Sequence, residues 1–334
     1  MREATIQHPG KVIEDSRFLH TMALSLNPQN HDEGVIRCIL DRQGDLVGGS
    51  LIDTSQLYKV KSTNGLERFA ITDPLVIKGL EEVVNSLTKD GWKFIGLEDP
   101  DIVVDGSIHL FFTIAFSNKD GTDYRVRLGH AAGKNLDSLV MTPPVLSPTD
   151  TIPWGAKELS LAPKNSEGVY LNLVESKEYE EDMTYFVIRL GIAKELSTPW
   201  KYDNIVFHPK ESNYSWCAEQ ASPGPLLPQS FIDIGNNKRV GILNGREATI
   251  RQNGKIRQGM FSVGLMIYNF EKGKIEWVSS EPLIKDSAAT TVTFASQFVE
   301  TNPGEGILYA HVDDSFVRAY TLYTDKIREL LNIT

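Results

Sequence analysis

From Ile108 to Phe116 the chain alternates, so that Ile108, Leu110, Phe112, Ile114 and Phe116 fall on one face of a strand and His109, Phe111, Thr113 and Ala115 on the other. Both faces are largely apolar, as expected of a sheet covered on both sides. A turn followed by such a strand recurs along the chain in "RQGDLVGGSL", "VDGSIHLFFTI", "NSEGVYLNLV", "GNNKRVGILN" and "PGEGILYAHV". With Gly44, Gly106, Gly168, Asn237 and Gly306 as the turn residues, the spacings are 62, 62, 69 and 69 residues. Second strands follow in "YRVRLGHAAGKNL" and "YFVIRLGIAKEL", which share R-L-G-x-A at Arg127 to Ala131 and Arg189 to Ala193. Short strands repeated in this way close their open sheet edges when arranged radially. The expected fold is all-β, a five-bladed β-propeller of about four strands per blade.

One stretch departs from the strand pattern. "TDPLVIKGLEEVVNSLTKDGW" predicts a helix over about 74–90, inserted between the first and second blades. Asp73 would cap it, Pro74 suits its first turn and Gly91 ends it. Leu75, Leu80, Val83, Val84 and Leu87 form an apolar stripe, expected to pack on the flank of the propeller. A short C-terminal helix is expected from about Asp325 to Asn332. No linker or low-complexity tract divides the chain, so residues 1–334 read as a single domain.

Composition narrows the function. The net charge is −10 and the 34 Lys and Arg form no basic run, which argues against nucleic acid as a partner. No stretch reaches the length of about eighteen apolar residues needed to span a membrane, and no apolar leader opens the chain, so a cytoplasmic protein away from membranes is expected. The two cysteines, Cys38 and Cys217, read as reduced thiols. The seven histidines show no metal-binding spacing, so no catalytic metal is expected. G-x-S-x-G and a strand-to-helix G-x-G-x-x-G are both absent, which sets aside lipase and dehydrogenase chemistry.

The chemistry-bearing residues lie near the repeated turns, where a propeller would gather them at its axis. They are Arg37; Glu98, Asp99 and Asp101 in "GLEDPD"; Lys157 and Glu158 in "WGAKELSLAPK"; Trp216, Glu219 and Arg246; and His311 and Asp313. Carboxylates converging from separate blades suit glycosidic cleavage, which needs a proton donor for the leaving oxygen and a second carboxylate. Asp99 is the expected acid, its pKa raised if Glu98 and Asp101 point the same way. Glu158 and Glu219 are the expected second carboxylates, and Trp216 a sugar platform. Alone, Asp99-Pro100 also fits a turn starter, Lys157-Glu158 a solvated pair and Trp216 a core residue.

The order of these segments resembles the five-bladed mannoside phosphorylases and hydrolases of glycoside hydrolase family 130, from about Asn27 to Leu322, within the wider propeller glycosidases that include family 43. Glu98-Asp99-Pro100-Asp101 is similar to that family's E-D-P-R, and Lys157, Leu161 and Pro163 to its K-x-x-x-L-x-P. Ser222 to Leu226 resembles its G-x-P-P-I turn, and Tyr309 to Asp313 its Y-G-A-A-D. The resemblance implies an inverting reaction on a short mannoside or similar oligosaccharide, with Asp99 as general acid. It requires no cofactor beyond inorganic phosphate where phosphate is the attacker, held by Arg37, Arg127 and Lys157. Asp101 stands where the family has Arg, and Leu243-Asn244-Gly245 where it has Y-H-G. Hydrolysis and phosphorolysis therefore both stay open. The alternatives are a family 43-like arabinan or xylan hydrolase and a non-catalytic carbohydrate-binding or scaffold propeller, and a homo-oligomer is compatible with all of these.

Overall fold

A computed structural model describes residues 4–44, 47, 51–89, 91–180, 183–252 and 255–333. The strand β1 (Thr5–Gln7) opens the chain. A first set of four antiparallel strands follows: β2 (His20–Asn27), β3 (Asn30–Gln43), β4 (Ile52–Asn64) and β5 (Arg68–Pro74). After the helix α1 (Leu80–Leu87), β6 (Trp92–Asp105), β7 (Ser107–Asn118), β8 (Tyr124–Gly133) and β9 (Val140–Met141) form the second set. The third is β10 (Ala156–Ser160), β11 (Tyr170–Tyr179), β12 (Thr184–Ala193) and β13 (Lys201–Phe207). Of the next strands, β14 (Gln220–Leu226), β15 (Lys238–Arg246), the hairpin β16 (Ile250–Gln252) with β17 (Lys255–Arg257), β18 (Phe261–Asn269) and β19 (Lys274–Val278), all but the hairpin make the fourth set. The last set is β20 (Thr293–Asn302), β21 (Glu305–Val312) and β22 (Phe316–Tyr323), completed by β1 from the other end of the chain. The helix α2 (Thr324–Leu331) ends the described fold.

The sets close head to tail. Apolar clusters fill each junction: Leu57 with Phe112 between the first and second sets, Phe111 with Val174 between the second and third, and Leu173 with Leu243 between the third and fourth. Ile242 with Leu308 joins the fourth to the fifth, and Leu24 with Tyr309 joins the fifth back to the first. Both faces of each sheet thus lose apolar surface to water, the main favourable term in folding. It also explains why Ile108–Phe116 alternates without a polar face: Phe112 faces one junction and Phe111 the next. The first strands β2, β6, β10, β14 and β20 surround a common axis, since Ala23, Asp99, Glu158, Pro223 and Ala295 line one cavity of about 360 Å³.

Two expectations need correction. The helix begins at Leu80, not near 74, because Asp73 and Pro74 end strand β5, where Pro74 pairs with Tyr58, and Lys78 bonds to Leu139 and Met141 in extended conformation. Its N-cap is Gly79 in the left-handed region, and it ends at Leu87 with Thr88 as the C-cap. Leu75, Leu80, Val83, Val84 and Leu87 do pack into the first junction. The turn repeat is in register only in the middle of the chain: Gly106, Gly168 and Asn237 each join the first and second strands of a set. Gly44 follows β3, beside residues 45, 46 and 48–50 outside the described ones, and Gly306 lies inside β21. The corresponding joints are at Pro28–Gln29 and Pro303–Gly304.

Candidate active site

A backbone device places the chemistry. Each first strand slips register by a bulge at the same level: at Ala23 in β2, at Asp99-Pro100 in β6, at Glu158 in β10, at Gly224-Pro225 in β14 and at Ser296 in β20. Ala23, Asp99 and Glu158 hold positive φ angles of 51°, 48° and 48°. Bulges re-aim side chains, and here they turn two carboxylates toward each other at the axis. Three residues before each acid stands a glycine at positive φ, Gly96 and Gly155. A Cβ would lie 2.1 Å from the Ser55 carbonyl oxygen at Gly96 and 2.0 Å from that of Val126 at Gly155. Glycine lets these strands press against the preceding set, which fixes where Asp99 and Glu158 point.

Around the two acids lies a buried charge network. Arg37, from β3, is 5% exposed and donates to Glu98 Oε1 at 2.7 Å and Asp99 Oδ1 at 3.1 Å. Asp53 Oδ2 stands 3.7 Å from the same guanidinium and is held at 2.7 and 2.9 Å by Arg42. Lys157 Nζ is 3.4 Å from both Asp99 Oδ2 and Glu158 Oε1. Burial opposes the charge of Asp99, but Lys157, Arg37 and a hydrogen bond from Glu158 hold it well below the usual carboxylate range. Burial, with the Asp99 charge beside it, pushes Glu158 well above that range. The surroundings thus favour the protonated form at Glu158 and the carboxylate at Asp99. This reverses the expectation that Asp99 is the raised acid.

The neighbours expected to raise Asp99 point elsewhere. Glu98, 3% exposed, faces Arg37 and accepts from Tyr124. Asp101 lies on the axial cavity, without an ion pair among the described residues, and burial pushes it up to about 7. Arg37, Asp53, Glu98, Tyr124 and Lys157 line a second cavity, of about 630 Å³. Asp99 and Glu158 line the axial one, so the network sits where the two approach.

Other expected residues are set apart. Glu219 accepts from Arg246 at 2.7 Å and from the Thr249 hydroxyl at 2.8 Å, and also from the Thr249 amide, and it lines neither of the two cavities. Trp216 is 3% exposed, donates to the Ser279 carbonyl and packs against Gly245 and Gly264; it is a core residue, not a sugar platform. Arg127 lies over the Phe116 ring, 4.9 Å from its centroid, in a separate cavity with Arg125 and Trp92. Strand pleating explains this, because Tyr124 takes the face of β8 toward the 630 Å³ cavity and Arg125 and Arg127 take the other. Asp313 accepts from the amides of Thr290, Thr291 and Val292, which ties a loop down rather than presenting a ligand. His311 lines the axial cavity, stacked on Phe294 and 3.2 Å from Asp314. Cys38 and Cys217 are both buried, and burial pushes the Cys38 thiol up to about 12.

Four residues went unread in the sequence: Asp53, Tyr124, Glu175 and Lys177. Glu175 pairs with Lys157 in the ladder, accepts from the Ser222 hydroxyl and is pushed up by burial to about 7. A charged residue within the apolar run "YLNLVES" was the available signal, since Arg37 interrupts "GVIRCIL" in the same way.

No helix among the described residues is long and apolar enough to cross a membrane. No family model and no curated protein sequence matches the chain. Solved structures do. A β-1,2-mannobiose phosphorylase from Listeria innocua superposes with a TM-score of 0.64 at 10% identity, over 99% of this chain and 94% of that one. A mannose phosphorylase from Leishmania mexicana gives 0.52 at 13% identity, over 97% and 89%. The catalytic domain of a Coprinopsis cinerea GH62 α-L-arabinofuranosidase gives 0.53 at 8% identity, over 95% and 96%. At such identities the likeness is one of fold, and the fold of this chain is that of the propeller glycosidases and glycoside phosphorylases.

Proposed function

We propose that the five strand sets are the blades of a five-bladed propeller, and that the chain is an enzyme cleaving a short mannoside or similar oligosaccharide by inverting hydrolysis. The observation that carries this reading is the Asp99–Glu158 pair: two carboxyls from neighbouring sets, both within 3.4 Å of the Lys157 ammonium and Asp99 also bonded to Arg37, on the axial cavity of about 360 Å³ where it approaches the one of about 630 Å³. Glu158 gives its proton to the leaving glycosidic oxygen, and its new charge is met by Lys157. Asp99, already ionised, keeps that proton oriented. Water attacks the anomeric carbon from the opposite side and passes a proton to Asp53 or Glu98, the carboxylates lining the larger cavity. Asp99 thus supports the acid instead of being it.

Water is favoured over phosphate because a dianion in a closed pocket requires several free cations. Arg37, Arg42, Lys157 and Arg246 each contact a carboxylate already. The mannobiose and mannose phosphorylases among the structural neighbours make a mannoside the first substrate to try. The test is incubation with manno-, gluco- and arabino-oligosaccharides, with and without inorganic phosphate. Release of reducing sugar that does not depend on phosphate is expected. Sugar 1-phosphate formation would replace water by phosphate, and saturable binding without product would make the chain a carbohydrate-binding module.

A further inference from the structure

Lys177 stands apart from the other cations around the acid pair. It lies on β11, two residues beyond Glu175, and its ammonium sits 4.8 Å from the Trp154 ring centroid and 5.0 Å from that of Phe186. The two rings meet edge to face at 84° and form a corner around the amine. No ion pair or hydrogen bond of the Lys177 ammonium occurs among the described residues, whereas Arg37, Arg42, Lys157 and Arg246 each have a carboxylate within 4 Å. Lys177, Trp154 and Phe186 line the same 630 Å³ cavity as Asp53, Glu98 and Lys157.

We infer that Lys177 is a specificity-determining residue that receives an anionic group, a carboxylate or a phosphate ester, carried by the sugar that occupies this cavity. The proposal names the substrate class for the site to which glycoside cleavage has been assigned, and so rests on that reading. The physical reason is the unmatched charge. Aromatic faces stabilise an ammonium only in part, and a half-buried cation without a counter-ion is a strong recognition element for an arriving anion. The Trp154 and Phe186 rings beside it give the apolar face of a pyranose a surface to rest on. A single cation matches one acidic substituent on a sugar better than free phosphate, for which a cluster is needed.

The surroundings set the pH dependence. Burial lowers the Lys177 pKa to about 8, against the raising effects of Glu175 on its own strand and of Asp123 ahead of β8, while Lys157 from β10 adds to the lowering. Attraction for an anionic sugar is therefore full below that value and fades as pH rises through it.

The experiment compares dissociation constants by calorimetry for D-mannose, D-mannuronate, D-mannose 6-phosphate and inorganic phosphate, using wild type, Lys177→Met and Lys177→Arg. An anionic sugar is expected to bind about tenfold or more tighter than mannose at pH 7, the worth of one charge-assisted hydrogen bond. That preference should vanish in Lys177→Met, persist in Lys177→Arg and weaken above pH 8. The two anionic sugars separate carboxylate from phosphate ester as the group received. Equal binding of neutral and anionic sugars, or a preference unchanged in Lys177→Met with its melting temperature retained, would overturn the proposal. So would inorganic phosphate binding as tightly as mannose 6-phosphate, since that would make the site one for a co-substrate. Because binding is read without turnover, an anion preference in a protein that cleaves nothing would leave the specificity assignment standing while the hydrolytic reading fell.

Discussion

The bulge of β2 and the bulges of β6 and β10 are nearly the same piece of backbone with different side chains. Ala23, Asp99 and Glu158 share a left-handed conformation within 3° of φ, at the same level of their strands and around the same cavity. One carries a methyl group and does no chemistry. The other two carry carboxyls that face Lys157, and their surroundings push them in opposite directions, Asp99 toward the carboxylate and Glu158 toward the acid. The bulge is thus a property of the repeated fold, and chemistry enters where an acid occupies it and cations stand within reach. Arg37 marks the difference, since it belongs to the first set yet reaches across to Glu98 and Asp99 of the second.

The largest effect expected from this contrast is on turnover. Asp99→Asn and Glu158→Gln should each lower the cleavage rate by roughly two to four orders of magnitude, the usual worth of a positioned acid, with circular dichroism unchanged. Wild-type rates in Glu158→Gln would take the proton away from that residue. Next is stability. Arg37→Met leaves the buried Glu98 without its cation and removes one of the two from Asp99, and should cost about 3–5 kcal/mol in denaturant unfolding, as breaking a buried pair usually does. A cost near zero would mean that solvent reaches the network.

A pH-dependent effect follows at Asp101. Its folded pKa of about 7 lies above its ordinary value, so folding favours the protonated form. Its contribution is intact below the unfolded pKa and is lost as pH rises through 7. Asp101→Asn should therefore raise the melting temperature at pH 8, with the gain shrinking toward zero in the ordinary carboxylate range. An equal gain at both pH values would point to packing. The smallest effect is at Ala23, where relief of a left-handed non-glycine residue by Ala23→Gly should stabilise by a few tenths to about 1 kcal/mol, with turnover unchanged. Destabilisation there would show that the Ala23 methyl contributes packing which outweighs the strain.

How much of this could be read from the chain depended on the range of the interaction. Period-two alternation and the R-L-G-x-A echo are local, and they placed strands in β7, β8 and β12. The ring order of the chemistry was also legible in part, since "GLED" and "GAKE" carry the same glycine-to-acid spacing in neighbouring sets. The helix start was misread because a proline that opens helices also ends edge strands, and pairing with Tyr58 decided between the two. The direction of Asp99's pKa was misread because adjacent residues in a pleated strand point apart, while the groups that matter, Lys157 and Arg37, are 58 and 62 residues away. Lys177 escaped for the same reason, its aromatic corner being assembled from Trp154 and Phe186.

The most direct test of the proton on Glu158 is carboxyl carbon NMR on protein labelled at Asp and Glu, with the two signals assigned by their loss in Asp99→Asn and Glu158→Gln. At pH 6 the Glu158 carboxyl should resonate as an acid and the Asp99 carboxyl as a carboxylate. Two ionised signals at that pH, each titrating near its ordinary value, would contradict the protonated Glu158 and the mechanism built on it.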